Sequence, residues 1–119
     1  LGDEGYEIAF KEGTIVLSGG RTRGTLNAVF ALLEEDLGCR FYTNESIRLP
    51  RSDTLTIATI ARRYIPKLKI RDPFYACAFN GTWSVRNRTN SPSAAVPENR
   101  GGNVAQRGRR EWPGDLGVP

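Results

Sequence analysis

The sequence contains no methionine and no histidine. Because translation begins at methionine, we expect Leu1 to lie downstream of the natural start and any export signal to precede it. The lack of histidine removes the side chain that most often serves as a general base or a metal ligand near neutral pH. Acid–base and metal chemistry would therefore have to come from other side chains.

Cysteine is scarce, with Cys39 and Cys77 far apart in the chain. A zinc site needs about four close cysteine or histidine ligands, and a cysteine nucleophile needs an adjacent base. The sequence therefore predicts no metal site, no cofactor and no cysteine nucleophile. The two thiols are expected to be buried, or joined in a disulfide if the protein is exported.

Long apolar stretches are missing as well. The longest runs from Leu26 to Leu33 and contains Asn27, so it falls well short of the ~20 residues that cross a bilayer. The sequence predicts no membrane span.

What the chain has in excess is arginine, with 17 basic residues against 13 acidic ones and a net charge of +4. A nucleic-acid surface is typically a continuous basic stripe. The arginines are instead scattered along the whole sequence, which favours a solvated surface or pairing with carboxylates. We predict no nucleic-acid partner.

Local patterns predict an α+β fold. Alternating residues after Gly5 and a β-branched run at 14–17, separated by Glu12-Gly13, indicate a hairpin. Next comes a helix that Thr22 or Thr25 is expected to cap and Gly38 to end. Further strands are predicted at 39–42, 47–50, 54–58 and 68–71, with a short helix in 80–90. The predicted apolar stripe of the main helix is Leu26, Val29, Phe30, Leu33 and Leu37.

Four features have a functional and a structural interpretation. Gly19 to Gly24 precedes a helix, as phosphate loops do, but its spacing favours a tight turn. The acids at 34–36 are neighbours on one helix, which favours a solvated face over a catalytic pair. The aromatics Phe74, Tyr75, Phe79 and Trp83 suit a sugar platform or a core. Arg71, a rigid fork of donors, suits sugar hydroxyls or a structural pair with Asp72.

Several segments together resemble a known module. They are Gly5-Tyr6-Glu7-Ile8, Ile15 to Gly20, Arg23 to Phe30, Leu37 to Tyr42, and the later Pro66 to Tyr75 and Trp83 to Arg88. The combination resembles the N-terminal accessory domain of family 67 α-glucuronidases and family 20 β-N-acetylhexosaminidases, and more closely a related group of large bacterial proteins.

The resemblance implies a fold, a division of the chain and a site. Residues 1–62 would be a small, mostly antiparallel sheet with one main helix packed on it. Residues 63–90 would be the first strand and helix of an incomplete (β/α)8 barrel. For 91–119 it is the Gly/Pro-rich composition that predicts an irregular or disordered tail. Arg71 matches a family arginine that holds sugar hydroxyls, although Asp72 stands where that family has glycine.

The resemblance also implies a function. This chain would be the non-catalytic N-terminal portion of a glycoside hydrolase, bracing the barrel that binds the carbohydrate substrate, and inactive alone. The full-length parent is expected to be periplasmic or secreted. The alternative is a stand-alone carbohydrate- or protein-binding α+β module without enzymatic activity.

Overall fold

The computed structural model describes residues 1–58, 61–74, 76–90, 94 and 96–102. It is an α+β structure, as the sequence predicts. The strands are labelled β1 to β5 and the helices α1 and α2. Short turns of other helix types lie between and after them. In order they are β1 Tyr6–Lys11, β2 Thr14–Gly19, α1 Gly24–Ala31, a π-helical turn Leu32–Asp36, β3 Arg40–Phe41, β4 Ile47–Arg48, β5 Ala61–Tyr64, a 3-10 turn Ala76–Phe79, α2 Gly81–Arg86 and a 3-10 turn Glu98–Arg100.

The main sheet has three antiparallel strands in the order β2-β1-β5. The predicted hairpin is confirmed: β1 and β2 pair from Tyr6↔Gly19 to Lys11↔Thr14. Glu12 and Gly13 both have positive φ, 49° and 78°. Two left-handed residues in a two-residue loop give the turn that matches the natural twist of a hairpin.

One face of this sheet is covered by α1. The core between them is formed by Tyr6 and Ile8 of β1 and Ala28 and Ala31 of the helix, all buried. Because the helix presents alanines here, its backbone approaches the sheet closely. The larger side chains predicted to form the apolar stripe are only partly buried or exposed.

Two of those larger residues lie against a second core. Leu26 and Phe30 pack against the buried cluster of Val85, Ala94 and Val96. The helix therefore lies between the sheet and α2, and its apolar residues divide between two neighbours. A single helical stripe could not reveal this division, because periodicity reports burial and not what the helix is buried against.

The start of α1 differs from the prediction. Neither Thr22 nor Thr25 caps it, because the N-cap residue is Arg23 and no side chain makes a capping hydrogen bond. The amides of Thr22 and Arg23 donate instead to the backbone oxygen of Asp3. The end follows the prediction, since Gly38 has a φ of 76° after the π-helical turn.

Two predicted strands are wrong. Residues 54–58 and 68–71 are irregular, and the strand that pairs with β1 is Ala61–Tyr64, where the sequence predicted no strand. The free edge of β1 can pair with only one further strand. Pairing with β5 brings Arg62 to the acids of the π-helical turn and Tyr64 to Tyr6. These tertiary contacts outweigh the β-propensity of 54–58.

The shorter predicted elements are confirmed. β3 and β4 lie within the strands predicted at 39–42 and 47–50, and they pair with each other as a second antiparallel hairpin. The short helix in 80–90 is α2, capped by the Asn80 side chain, which accepts from the Trp83 amide at 2.9 Å. Arg86 of this helix lies 4.9 Å from the centre of the Phe41 ring, which ties α2 to β3.

The predicted boundary between residues 62 and 63 lies inside β5. Residues 63–90 contain that strand's end, a 3-10 turn and α2, and no barrel strand is formed by the described residues among them. Of the predicted irregular tail at 91–119, the structure describes Ala94 and 96–102, and the remainder lies outside the described residues. Within the described part of the chain, no helix combines the length and apolar character that a bilayer crossing requires.

Candidate functional site

Arg71, the predicted sugar-binding residue, is held by a buried carboxylate from the start of the chain. Its Nη2 lies 2.6 Å from Oε1 of Glu4, which is 7% exposed. Its Nε donates to the backbone oxygen of Arg88 and its Nη1 to that of Leu68. All three guanidinium nitrogens therefore have protein partners. This favours the structural interpretation with Glu4 as the partner, while the sugar-binding role stays a prediction.

Asn90 completes this arrangement and is fully buried. Its Nδ2 donates to Oε2 of Glu4 at 3.0 Å and to the backbone oxygen of Lys69 at 2.6 Å. Its Oδ1 accepts from the amide of Arg71 at 2.7 Å. One side chain thus connects the N-terminal segment to residues 69–71.

A second arginine shares the same carboxylate. Arg23, 3% exposed, places its Nε 3.5 Å from Oε1 of Glu4 and donates from Nη1 to the backbone oxygen of Thr89. The pKa of Arg23 is lowered mainly by burial; Glu4 acts against that effect and the nearby charge of Arg71 adds to it. We call Glu4, Arg23, Arg71 and Asn90 the Glu4 network. It joins the N-terminus, the start of α1 and residues 69–90.

The three acids at 34–36 form ion pairs. Arg62 contacts Glu35 at 3.0 Å and Asp36 at 2.8 Å, and Arg88 contacts Glu34. The pKa of Arg62 is raised, because its hydrogen bond to Asp36 and the charges of Glu35 and Asp36 outweigh the lowering effect of burial. These acids therefore attach the end of the helix to β5 and to the segment after α2.

These pairs also bear on the arginine excess. Arg23, Arg62, Arg71 and Arg88 each lie within salt-bridge distance of a carboxylate. Pairing with carboxylates was one of the two alternatives to a nucleic-acid surface.

The glycine loop before α1 has no space for a phosphate. The amide of Gly20 donates to the oxygen of Gly5. A Cβ at Gly20 would lie 1.8 Å from the oxygen of Gly2, and one at Gly24 would lie 2.3 Å from that of Gly5. Residues 2–5 thus fill the position that an anion would need, and the tight-turn interpretation is confirmed.

The predicted aromatic cluster separates into buried and exposed members. Trp83 is buried and donates from Nε1 to the backbone oxygen of Tyr42 at 3.2 Å. Phe74 is 80% exposed and meets Phe79 edge-to-face at 5.1 Å. Tyr75 lies outside the described residues. Trp83 is thus a core residue, whereas Phe74 presents its ring to solvent.

A cleft of about 270 Å³ opens beside the Glu4 network. It lies where β1 and β5 meet the end of the main helix and the segment after α2. The rings of Tyr6 and Tyr64, direct partners across the two strands, are 5.5 Å apart at its wall. The polar lining includes both charges and amides. The lining residues are Tyr6, Asn27, Glu35, Tyr64, Pro66, Arg71, Asn87 and Arg88.

The electrostatics of the cleft are seen at Tyr6. Burial is the main cause that raises its pKa, and the charge of Glu35 adds to it, while Arg88 and Arg62 act in the opposite direction. Arg88 has a φ of 59°, unusual for a residue with a side chain, and its Nη1 is buried with no hydrogen-bond partner among the described residues. The cleft thus combines an exposed aromatic edge with a strained cationic residue.

Metal ligands and a disulfide are not part of this site. Among the described residues, no group of three or more His, Cys, Asp or Glu side chains is placed to hold a metal ion. Cys39 is buried as predicted, Cys77 is partly buried, and both are free thiols.

Sequence reasoning missed Glu4 and Asn90, the two polar residues that organise the network. Neither belongs to a motif, and 86 positions separate them in the chain. The one available signal was Arg71, which needs a carboxylate if it is buried. The sequence alone could not show which of 13 acids supplies it.

Comparison of the chain with protein-family models, curated proteins and solved structures finds no match in any of the three. The resemblance to glycosidase accessory domains therefore stays a prediction.

Proposed function

We propose that this chain is a non-catalytic accessory module of a carbohydrate-active enzyme, and that it braces a catalytic barrel through residues 65–74. The glycosidase parent and its carbohydrate substrate belong to the same proposal. The observation that carries it is the exposure of large apolar side chains along that segment. They are Ile65, Leu68, Ile70 and Phe74, each more than half exposed.

Exposed apolar residues are ordinary when single, but a contiguous group marks an interaction surface. The segment that carries this group is also irregular, and it pairs with none of the strands among the described residues. An irregular segment with exposed apolar side chains suits burial against another domain.

The anchoring of the segment supports the same proposal. Arg71 and Asn90 hold residues 69–71 on the sheet module through Glu4. The module therefore fixes the backbone of the segment while Leu68 and Ile70 point their side chains to solvent. A brace needs both properties, a rigid attachment on one side and a surface to bury on the other.

A second candidate is a stand-alone carbohydrate-binding module. Phe74 favours it, because an 80% exposed ring held edge-to-face by Phe79 can stack on the apolar face of a sugar. Under this interpretation Phe74 contacts a glycan and the remaining apolar residues need no partner domain.

Two measurements test the proposal. The 119-residue chain should not hydrolyse chromogenic glucuronides or N-acetylhexosaminides, and turnover by the purified chain would contradict a non-catalytic role. Retention on insoluble polysaccharide, abolished by Phe74→Ala and unaffected by Leu68→Ser, would favour the second candidate. The brace predicts that neither variant changes retention.

A further inference from the structure

The cleft between Tyr6, Tyr64 and Arg88 has the properties of a binding site for a small, uncharged ligand. Its volume of about 270 Å³ lies just below the ~300–1,000 Å³ of sites for drug-sized molecules, which limits the ligand to about one ring. Two of its lining residues, Pro66 and Arg71, belong to segment 65–74, but none of the exposed apolar side chains proposed to brace a barrel lines it.

The charged residues around the cleft give it no strong preference for an ionic ligand. Arg71 is paired with Glu4, and Arg88 with Glu34. Glu35, which also lines the cleft, is paired with Arg62. Each charged side chain of the lining thus has a counter-charge, so an anion or a cation would gain little from the field of the site.

The hydrogen-bonding groups of the lining favour a ligand with both donors and acceptors. The phenolic hydroxyl of Tyr64, in the same lining, can donate or accept a hydrogen bond. Glu35 keeps a side chain that is 45% exposed and accepts hydrogen bonds. The amide of Asn27 lies in the same wall, with its Nδ2 donating to the backbone oxygen of Glu4 and its Oδ1 available as an acceptor. Hydroxyl groups can satisfy all three residues.

An aromatic wall completes the site. Tyr64 lies on the edge strand β5, is 47% exposed, and is backed by the buried ring of Tyr6. A ring supported from behind in this way presents a firm apolar face. A ligand that fits the whole lining has one apolar face and hydroxyls around its edge.

We propose that this cleft binds a single neutral pyranose unit, whose C–H face lies on Tyr64 and whose hydroxyls meet Glu35 and Asn27. The choice of a sugar among polyols rests on the proposed function. The position of the site rests on the cleft alone. It places a glycan contact on the accessory module itself, separate from any catalytic barrel.

The test is a titration of the full chain, ¹⁵N-labelled, with methyl β-D-glucopyranoside and separately with glucuronate, followed by amide chemical shifts. The neutral sugar should give saturable shifts at Tyr6, Tyr64 and Arg88, with a Kd of about 1 mM, equivalent to ~4 kcal/mol. Glucuronate should bind no more tightly. The proposal would be overturned if the neutral sugar gave no saturation, as expected of a cleft that holds only water. It would also be overturned if glucuronate alone bound.

Three variants locate the site. Tyr64→Ala removes the aromatic wall and should weaken binding about tenfold or more. Glu35→Ala removes a carboxylate acceptor of the lining while Arg62 keeps its pair with Asp36, so it should weaken binding while the spectrum stays well dispersed. Tyr42→Ala removes an exposed tyrosine that does not line the cleft, so it is the matched control and should leave the Kd unchanged. Shifts centred on Phe74 would place the sugar elsewhere and contradict the proposal. A cleft that binds no sugar would leave the proposed brace through 65–74 unaffected.

Discussion

Arg71 donates to Glu4 across 67 positions of sequence, with 2.6 Å between Nη2 and Oε1. The contact joins the segment that follows the sheet to the residues that precede it. Because Asn90 contacts the same carboxylate and Arg23 lies beside it, one buried acid organises three separate parts of the chain.

Glu4→Gln should be strongly destabilising. The substitution keeps the size of the side chain but leaves Arg23 and Arg71 without their counter-charge in a buried position. Removing one partner of a buried ion pair costs about 3–5 kcal/mol, so we expect a loss of at least ~3 kcal/mol in the free energy of unfolding in urea. Glu45→Gln, in an exposed turn, is the control and should stay within ~0.5 kcal/mol. Equal effects of the two variants would show that the network contributes little.

Asn90→Ala should loosen the attachment of Arg71. Three side-chain hydrogen bonds are lost, and buried groups left without partners cost about 1–3 kcal/mol each. We expect a loss of ~2 kcal/mol or more and faster hydrogen exchange at the Arg71 amide, which donates to Asn90 Oδ1. Asn44→Ala, at an exposed position, should change neither quantity. Unchanged exchange at Arg71 would contradict the assigned contact.

Gly24→Ala should destabilise the chain although alanine favours helices. At this position in the first turn of α1, a Cβ would lie 2.3 Å from the backbone oxygen of Gly5. The gain in helix propensity, about 1 kcal/mol, should be outweighed by displacement of the N-terminal segment. Thr25→Ala, exposed in the same turn, is the control and should be neutral or stabilising. A more stable Gly24→Ala protein would mean that residues 2–5 do not fill the loop.

Stability should fall at alkaline pH through Tyr6. Its pKa in the folded chain is raised above the usual value of about 10, mainly by burial. The unfolded chain therefore loses this proton at lower pH than the folded chain, so the contribution is complete below pH ~10 and is lost as the pH rises through the folded pKa.

Urea unfolding between pH 8 and 11 checks this expectation. Tyr6→Phe should reduce the alkaline decline, while Tyr42→Phe, at a more than half exposed position, should leave it unchanged. If the two variants show the same pH profile as the parent chain, Tyr6 does not titrate as described.

Local chemistry in the sequence predicted local structure well. Alternation in 6–17, the Glu12-Gly13 turn and the Gly38 end of the helix depend on neighbouring residues, and all three are confirmed. The edge strand 61–64 was missed because its sequence, Ala-Arg-Arg-Tyr, has little apolar alternation. Its place in the sheet depends on Arg62 meeting the acids at 35 and 36 and on Tyr64 meeting Tyr6.

The candidate site was predictable only in part. Arg71 was singled out because an arginine fork suits a defined partner, but its contact with Glu4 is long-range. The cleft brings together β1, β5 and residue 88, so no stretch of sequence contains it. Its aromatic wall exists because β5 pairs with β1, which the sequence pattern did not indicate.

The central claim is that residues 65–74 form a surface for a catalytic barrel. The most direct test is hydrogen exchange at those amides in the 119-residue chain and in the polypeptide that continues its reading frame into a barrel. We predict at least tenfold slower exchange over 65–74 in the longer protein, with no change in β1 and β2. Equal exchange rates at 65–74, or a reading frame that encodes no barrel, would contradict the account.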